Sequence, residues 1–310
     1  MLQLNNRNGT FSEIGQLAGI SNTDWSWAPP FADFDNDGWK DLLVTNGYFR
    51  DYTDRDFLKQ KYDYFTQQVK ARIPIDTFYI SQYMKSTPVH NYLFRNNKDL
   101  TFTDKSLEWG MEKKGFSNGA AYSDLDNDGD LDLVLSNQND YASILQNMTR
   151  EKGKSTNFIK IRLNGENKNK AGICSKVYVY SSLGPQFQEQ SPSRGYQSCV
   201  TTNLHFGLAD VEVIDSIVVE WICGKKSLIK NVKANQQIEI NEADAEYITV
   251  IPDLPHTIFT PVVSPIIYQQ VEAGFNDFSR QPLLTYMPSI VSPVMASADV
   301  NGDGLEDVYV

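Results

Sequence analysis

Three stretches of this chain place oxygen-bearing side chains at one spacing, D-x-[DN]-x-D-G-x-x-D. Positions one, three, five and nine are Asp33, Asp35, Asp37 and Asp41 in the first, and Asp124, Asp126, Asp128 and Asp132 in the second. In the third they are Asp299, Asn301, Asp303 and Asp307. Hard oxygen donors at alternate positions, joined by the main-chain carbonyl at position seven (Trp39, Asp130, Leu305), suit Ca2+, which accepts six to eight oxygens. Nothing in the loops is soft enough to select zinc or copper. Gly38, Gly129 and Gly304 at position six permit the sharp turn that brings the loop ends together.

Charge supports a cation. Two carboxylates about 5 Å apart repel by roughly 3 kcal/mol at an effective dielectric near 20, and each loop holds several such pairs. Thirteen of the 39 acidic residues lie in these loops, and the remaining 26 nearly balance 28 bases, so the net charge of −11 resides there. A lone Asp/Asn/Gly cluster is ordinarily a solvated turn, but three in identical register call for a shared ligand. An EF-hand is excluded because it needs a Glu at position twelve and a helix on each side, whereas Val44, Leu135 and Val310 stand there.

The elements that must hold these loops are short strands. Residues 42–44, 133–135 and 308–310 are branched apolar runs that follow the loops. Residues 5–46 align on 96–137 at a constant offset of 91, with 14 identities in 42 positions, and a third copy ends the chain. Such units cannot bury their own faces and must stack, which predicts β-propeller blades. Residues 53–72 change period: Leu58, Tyr62, Phe65 and Val69 mark one helical face, Thr53 with Asp56 resembles a capping box, and Pro74 lies past the end. From residue 157 the alternation has period two, through Ile159, Ile161 and Leu163, then Val177 and Val179, Ile217, Val219 and Trp221, and Ile238 and Ile240. The expected fold class is all-β: propeller units at 1–50 and 91–150, a helical insertion at 51–90 and a second all-β domain at 157–242. A linker at 243–270 and a further, truncated unit at 271–310 follow. With the last strand cut short, the sequence reads as a fragment of a longer propeller with unpaired strand edges.

Composition narrows the partners. The net charge disfavours nucleic acid, and the charge-free stretch of the C-terminal part, residues 281–298, contains Pro282, Pro288 and Pro293 and many polar residues, so it is no membrane helix. Cys174, Cys199 and Cys223 make neither a disulfide framework nor a zinc motif.

FADFDNDGWKDLLVTNG, YSDLDNDGDLDLVLSNQ and SADVNGDGLEDVYV resemble FG-GAP/VCBS repeats, the calcium-loop blades of integrin-type propellers. AGICSKVYVY, SRGYQSCV, LHFGL, IVVEWICGKK and NVKANQ resemble an ASPIC/UnbV domain, as in the cartilage acidic protein-like and bacterial surface VCBS families. Cys174, Ile222 and Ala209 depart from that pattern where Gly, Pro and Gly are usual. The resemblance implies a partial propeller with up to three Ca2+ sites, an extracellular or cell-surface setting and a scaffold or adhesion role.

No catalytic constellation emerges. His90, His205 and His256 are far apart, His205 within LHFGL reads as structural, and metalloprotease, nucleophile-elbow and Walker motifs are missing. The leading expectation is a non-enzymatic calcium-binding scaffold with an unknown protein or glycan ligand. The alternative is a carbohydrate-binding or carbohydrate-active surface protein using aromatic side chains, although Phe11, Phe31 and Trp221 read as core. Asn8 and Asn147 head glycosylation acceptor triplets.

Overall fold

Each acidic loop leads into a strand because the residues after it form a branched, apolar run. The computed structural model describes residues 1–51, 53–76, 84–151, 156–247, 259, 274–284, 287 and 295–309. It divides into two units, Met1–Val250 and Ile251–Val310.

In the first unit β1 (Gln3–Asn5) and β2 (Phe11–Glu13) form a ribbon. There follow β3 (Phe31–Ala32), β4 (Asp41–Val44), α1 (Arg55–Ala71), β5 (Val89–His90), β6 (Tyr92–Asn96), β7 (Phe102–Asp104) and β8 (Lys114–Gly115). Then come β9 (Ser117–Ser123), β10 (Asp132–Asn137) and β11 (Ser143–Leu145). β3, β4, β6 and β7 make one sheet, with Leu42 opposite Phe94, Leu43 opposite Leu93 and Val44 opposite Tyr92. A sheet is therefore assembled from the end of one sequence repeat and the start of the next, with α1 in the connection. β1 and β2 occupy the positions of β6 and β7 in the repeat alignment.

The four-stranded sheet is apolar on both faces. Leu43 and Leu93 pack with Ala120, Tyr122, Leu133 and Leu135 of the β9-β10-β11 sheet. Leu42, Val44 and Phe94 pack with Ile20, Phe31 and Phe102 on the other side. These are propeller-like blades, and the sheets among the described residues do not close into a ring. Phe11, expected in a core, is exposed: its repeat equivalent Phe102 rests near Phe31, whereas β1 pairs with β2 alone among the described residues.

The helix differs from expectation in its cap and its face. Asp54, not Thr53, is the N-cap, its carboxylate accepting from the N–H groups of Asp56 and Phe57, while Thr53 turns its hydroxyl to Asp51. The packed side is Phe57 with Tyr64 and Phe65 against Met84, and Leu58, Tyr62 and Val69 face solvent.

The remainder of the unit is a sandwich. It contains β12 (Asn157–Asn164), β13 (Lys176–Ser181), β14 (Gly184–Glu189), β15 (Leu204–Ala209), β16 (Val213–Glu220), β17 (Lys225–Lys233), β18 (Gln236–Asn241) and β19 (Glu246–Tyr247). One sheet runs β15-β12-β18, with β12 and β18 parallel, and the other β14-β13-β16-β17-β19. The inward alternation read from the sequence supplies the core between them: Ile159, Ile161, Val177, Val179, Ile217, Val219, Trp221 and Ile240 are buried in one cluster.

In the second unit β20 (Ala296–Ala298) and β21 (Asp307–Tyr309) pair antiparallel around the third loop, with every residue exposed. Val310 lies outside the described residues.

Candidate metal centre

One frame of hydrogen bonds shapes all three loops. The position-one carboxylate accepts from the N–H of the position-six glycine: Gly38 to Asp33 at 2.8 Å, Gly129 to Asp124 at 2.9 Å and Gly304 to Asp299 at 2.9 Å. Position five accepts from the N–H of position seven, as Trp39 to Asp37, Asp130 to Asp128 and Leu305 to Asp303. Position nine accepts from position two, as Phe34 to Asp41, Leu125 to Asp132 and Val300 to Asp307. The turn also needs a left-handed residue at position four. Asn36 (φ 56°), Asn127 (φ 64°) and Gly302 (φ 78°) take it, residue types that tolerate αL. That N/N/G column was visible in the sequence and is the signal missed there.

The frame brings carboxylate oxygens together. One oxygen each from Asp33, Asp35 and Asp37 lies within 4.8 Å of the others, and the same holds for Asp124, Asp126 and Asp128. In the third loop Asn301 replaces the middle carboxylate, its amide donating to Asp303 at 3.1 Å. Asp41 and Asp132 serve as buckles, because their second oxygens accept from the N–H groups of Asn96 and Asn147. Burial, then Asp41, Asp35 and Asp37, push Asp33 well above the ordinary carboxylate range. Burial likewise raises Asp41 to about 7 and Asp130 to about 7. Asp124 Oδ1, Asp128 Oδ2 and Asp130 Oδ1 are buried without a hydrogen-bond partner. Crowded, dehydrated oxygens of this kind fit a hard divalent cation.

Basic groups from distant strands also reach the loops. On β6, Arg95 pairs with Asp35 at 2.9 Å and Asp37 at 3.1 Å, and Lys98 reaches Asp37 at 3.3 Å. From β12, Lys160 pairs with Asp124 inside the protein, whereas the strand alternation had only turned it away from the sandwich core. Gln146 donates to Asp126 at 2.7 Å.

The sandwich is seated directly on these loops. Buried Asn36 donates its amide to the Gly129 carbonyl at 3.0 Å and meets His205 Nε2 at 2.7 Å, and its carbonyl accepts from Ala209 N–H at 2.8 Å. Phe158 stacks on His205 and covers Gly129. Gly207 lies so close that a Cβ there would stand 2.1 Å from Asp33 Oδ2. The LHFGL segment, β15, thus clasps the first loop, and His205, on this strand, is structural as expected. Burial, then the nearby Lys160, lowers His205 to about 4, so it is neutral at pH 7. The enclosed cavity beside Asp33, Lys40, Arg194 and His205 measures about 20 Å3, room for a water but not for a substrate. Asn147 bonds through its amide to the carbonyls of Phe34 and Leu131, so its acceptor triplet is engaged by the fold, while Asn8 is exposed.

Blades with acidic turn loops, clasped by a β-sandwich, define a β-rich repeat protein with a second all-β module. Residues 1–44 match the family model of the FG-GAP-like repeat, and residues 165–247 match that of ASPIC and UnbV. No curated protein matches the chain. The chain thus combines an FG-GAP-like repeat with an ASPIC and UnbV domain, as its motifs led us to expect. Domains of these kinds are generally non-catalytic, and they point to a surface or extracellular binding-type protein. Among the described residues no helix is long and apolar enough to cross a membrane.

Proposed function

We propose that this chain is a non-enzymatic, calcium-binding scaffold of the extracellular space or cell surface, with an adhesion-type role. The observation that carries the reading is the pair of carboxylate triads, Asp33/Asp35/Asp37 and Asp124/Asp126/Asp128, each gathered within 4.8 Å by the same loop frame. The carbonyls of Trp39 and Asp130 complete the donor sets, with Asp41 and Asp132 closing the loops. Bound Ca2+ would neutralise the charge that otherwise strains them. Because Asn36, Gly129 and Asp33 also form the seat of the sandwich, loop order and module packing are one property. The third loop, with Asp299, Asn301, Asp303, Leu305 and Asp307, is a further site with fewer charges and lower affinity.

Trp39 supplies a direct assay, since it stands at position seven of the loop, where its own carbonyl would be a ligand and its indole would be within energy-transfer range of an ion. Tb3+ in place of Ca2+ should luminesce on tryptophan excitation, and Ca2+ should quench that signal competitively. Asp35→Asn should abolish most of it and Asp126→Asn should not. Absence of sensitised emission, or equal emission from Asp35→Asn, would defeat the assignment.

A further inference from the structure

An open cleft of about 450 Å3 lies where the two blades meet the sandwich, on residues the calcium loops do not use. Its size is within the ~300–1,000 Å3 range of small-molecule sites. Three parts of the fold build it: Trp27 and Tyr48 from the first repeat, Asn118 and Gln138 from the second, and Tyr196 and Gln197 from the β14–β15 connection.

Its aromatic wall is continuous. Trp27 stacks on Tyr48 with centroids 5.8 Å apart and planes at 14°, and Tyr196 leans on Trp27 at 4.7 Å. Trp25 extends the cluster against Tyr48 at 5.1 Å and is half exposed. The Trp27 indole N–H donates to the Gly47 carbonyl at 2.7 Å, which fixes the ring. Gly47 is fixed in turn by Phe116: a Cβ at this φ of 118° would stand 2.7 Å from the Phe116 Cα. The wall is therefore set by the fold before any ligand arrives.

Most of the polar lining is uncharged. Asn118, Gln138 and Gln197 bring carboxamide residues to the cleft, and Ser136 and Ser198 hydroxyl residues. Among the described residues no carboxylate lines it, and the one cation among them, Arg50, is held over the Phe49 ring and to the Met84 carbonyl. A carboxamide both donates and accepts, so it can bracket two neighbouring hydroxyls. An aromatic face carries negative charge and attracts polarised C–H groups, such as those on the flat face of a pyranose ring. An anionic ligand would meet a single guanidinium already engaged by the Phe49 ring and the Met84 carbonyl, and an extended peptide would find the β9 edge occupied, with the Asn118 carbonyl accepting from the Thr45 hydroxyl and the Ala120 N–H donating to the Ser198 hydroxyl. We propose that the cleft binds a neutral oligosaccharide, with Trp27, Tyr48 and Tyr196 stacking on sugar rings and Asn118, Gln138 and Gln197 holding hydroxyls. This deepens the reading of a binding protein given above by naming the ligand class, while using none of the metal residues.

The test is titration of the full chain in millimolar Ca2+ with neutral hexaoses of glucose, mannose and N-acetylglucosamine, and with an oligogalacturonate as acidic control. Tryptophan fluorescence and calorimetry are the readouts. At least one neutral hexaose should saturate the signal. Gln138→Ala, an exposed change, should weaken binding about tenfold with an unchanged thermal midpoint, and Tyr196→Ala, which also loses its contact with Trp27, should weaken it as much with a slightly lowered midpoint. The inference is overturned if none of the neutral hexaoses binds, if only the acidic oligomer binds, or if both variants bind as the parent does. Heat from Ca2+ in the same sample, without heat from sugar, would sink this inference and leave the calcium reading standing.

Discussion

Gly207→Ala is the sharpest test of how the sandwich meets the first loop. The added Cβ would stand 2.1 Å from Asp33 Oδ2, 2.6 Å from the Asn36 Cα and 2.8 Å from the Asn36 carbonyl carbon. Two of these are backbone atoms, so no side-chain rotation relieves the clash, and β15 must retreat from the loop by about 1 Å. Overpacking of this kind costs about 1–3 kcal/mol. The retreat also removes support from Asn36, whose amide links Gly129 and His205. Calcium affinity of the first loop should fall with stability. Gly184→Ala is the contrasting control: its φ of 92° is unfavourable for alanine, a strain absent at Gly207, but nothing lies within 4 Å of the new Cβ. It should cost only the ~1–2 kcal/mol of left-handed backbone strain and leave calcium affinity intact. Denaturant unfolding and calcium titration of both variants measure this. Undiminished calcium affinity in Gly207→Ala, or an equal loss of affinity in Gly184→Ala, would refute the packing of β15 against the loop.

Lys160→Met removes the buried partner of Asp124 and should destabilise by about 3–5 kcal/mol in chelator, with a visibly smaller loss in millimolar Ca2+; chemical denaturation in both buffers reads the difference. The His205 pKa is 6.5 unfolded and about 4 folded, so the stability present above pH 6.5 is lost as pH falls to about 4, by about 3 kcal/mol in full. Denaturant midpoints of the parent and of His205→Gln across that window should converge toward low pH. Leu43→Ala, in the core between the blades, should cost about 2–5 kcal/mol, and Leu58→Ala, on the solvent side of α1, within ~0.5 kcal/mol by the same unfolding measurement.

What the sequence revealed was local. The loop pattern, the branched runs after it and the period-two alternation of the sandwich are all set within a dozen residues, and strands formed at each. Pairing across long distances left no such trace. Nothing in residues 5–46 says that β4 pairs with β6 beyond an inserted helix, so repeat boundaries and sheet boundaries differ. The helix face was misread because Met84, which Phe57 packs against, stands well beyond the helix in sequence. Lys160 looked like a solvent-facing strand residue until Asp124 arrived from another module. His205 found Asn36 across 169 positions. In the candidate site the acidic positions were legible from spacing alone, whereas the cations facing them and the role of Asn36 depended on tertiary contact.

Calorimetric titration of the full chain with Ca2+ tests the central claim most directly. The account predicts at least two ions per chain, one fewer in each of Asp35→Ala and Asp126→Ala, no loss in Asp210→Ala, and a gain of about 2.7 kcal/mol per site at a hundredfold excess over the dissociation constant. No binding heat together with an unchanged melting temperature in chelator, or identical stoichiometry in all three variants, would contradict it.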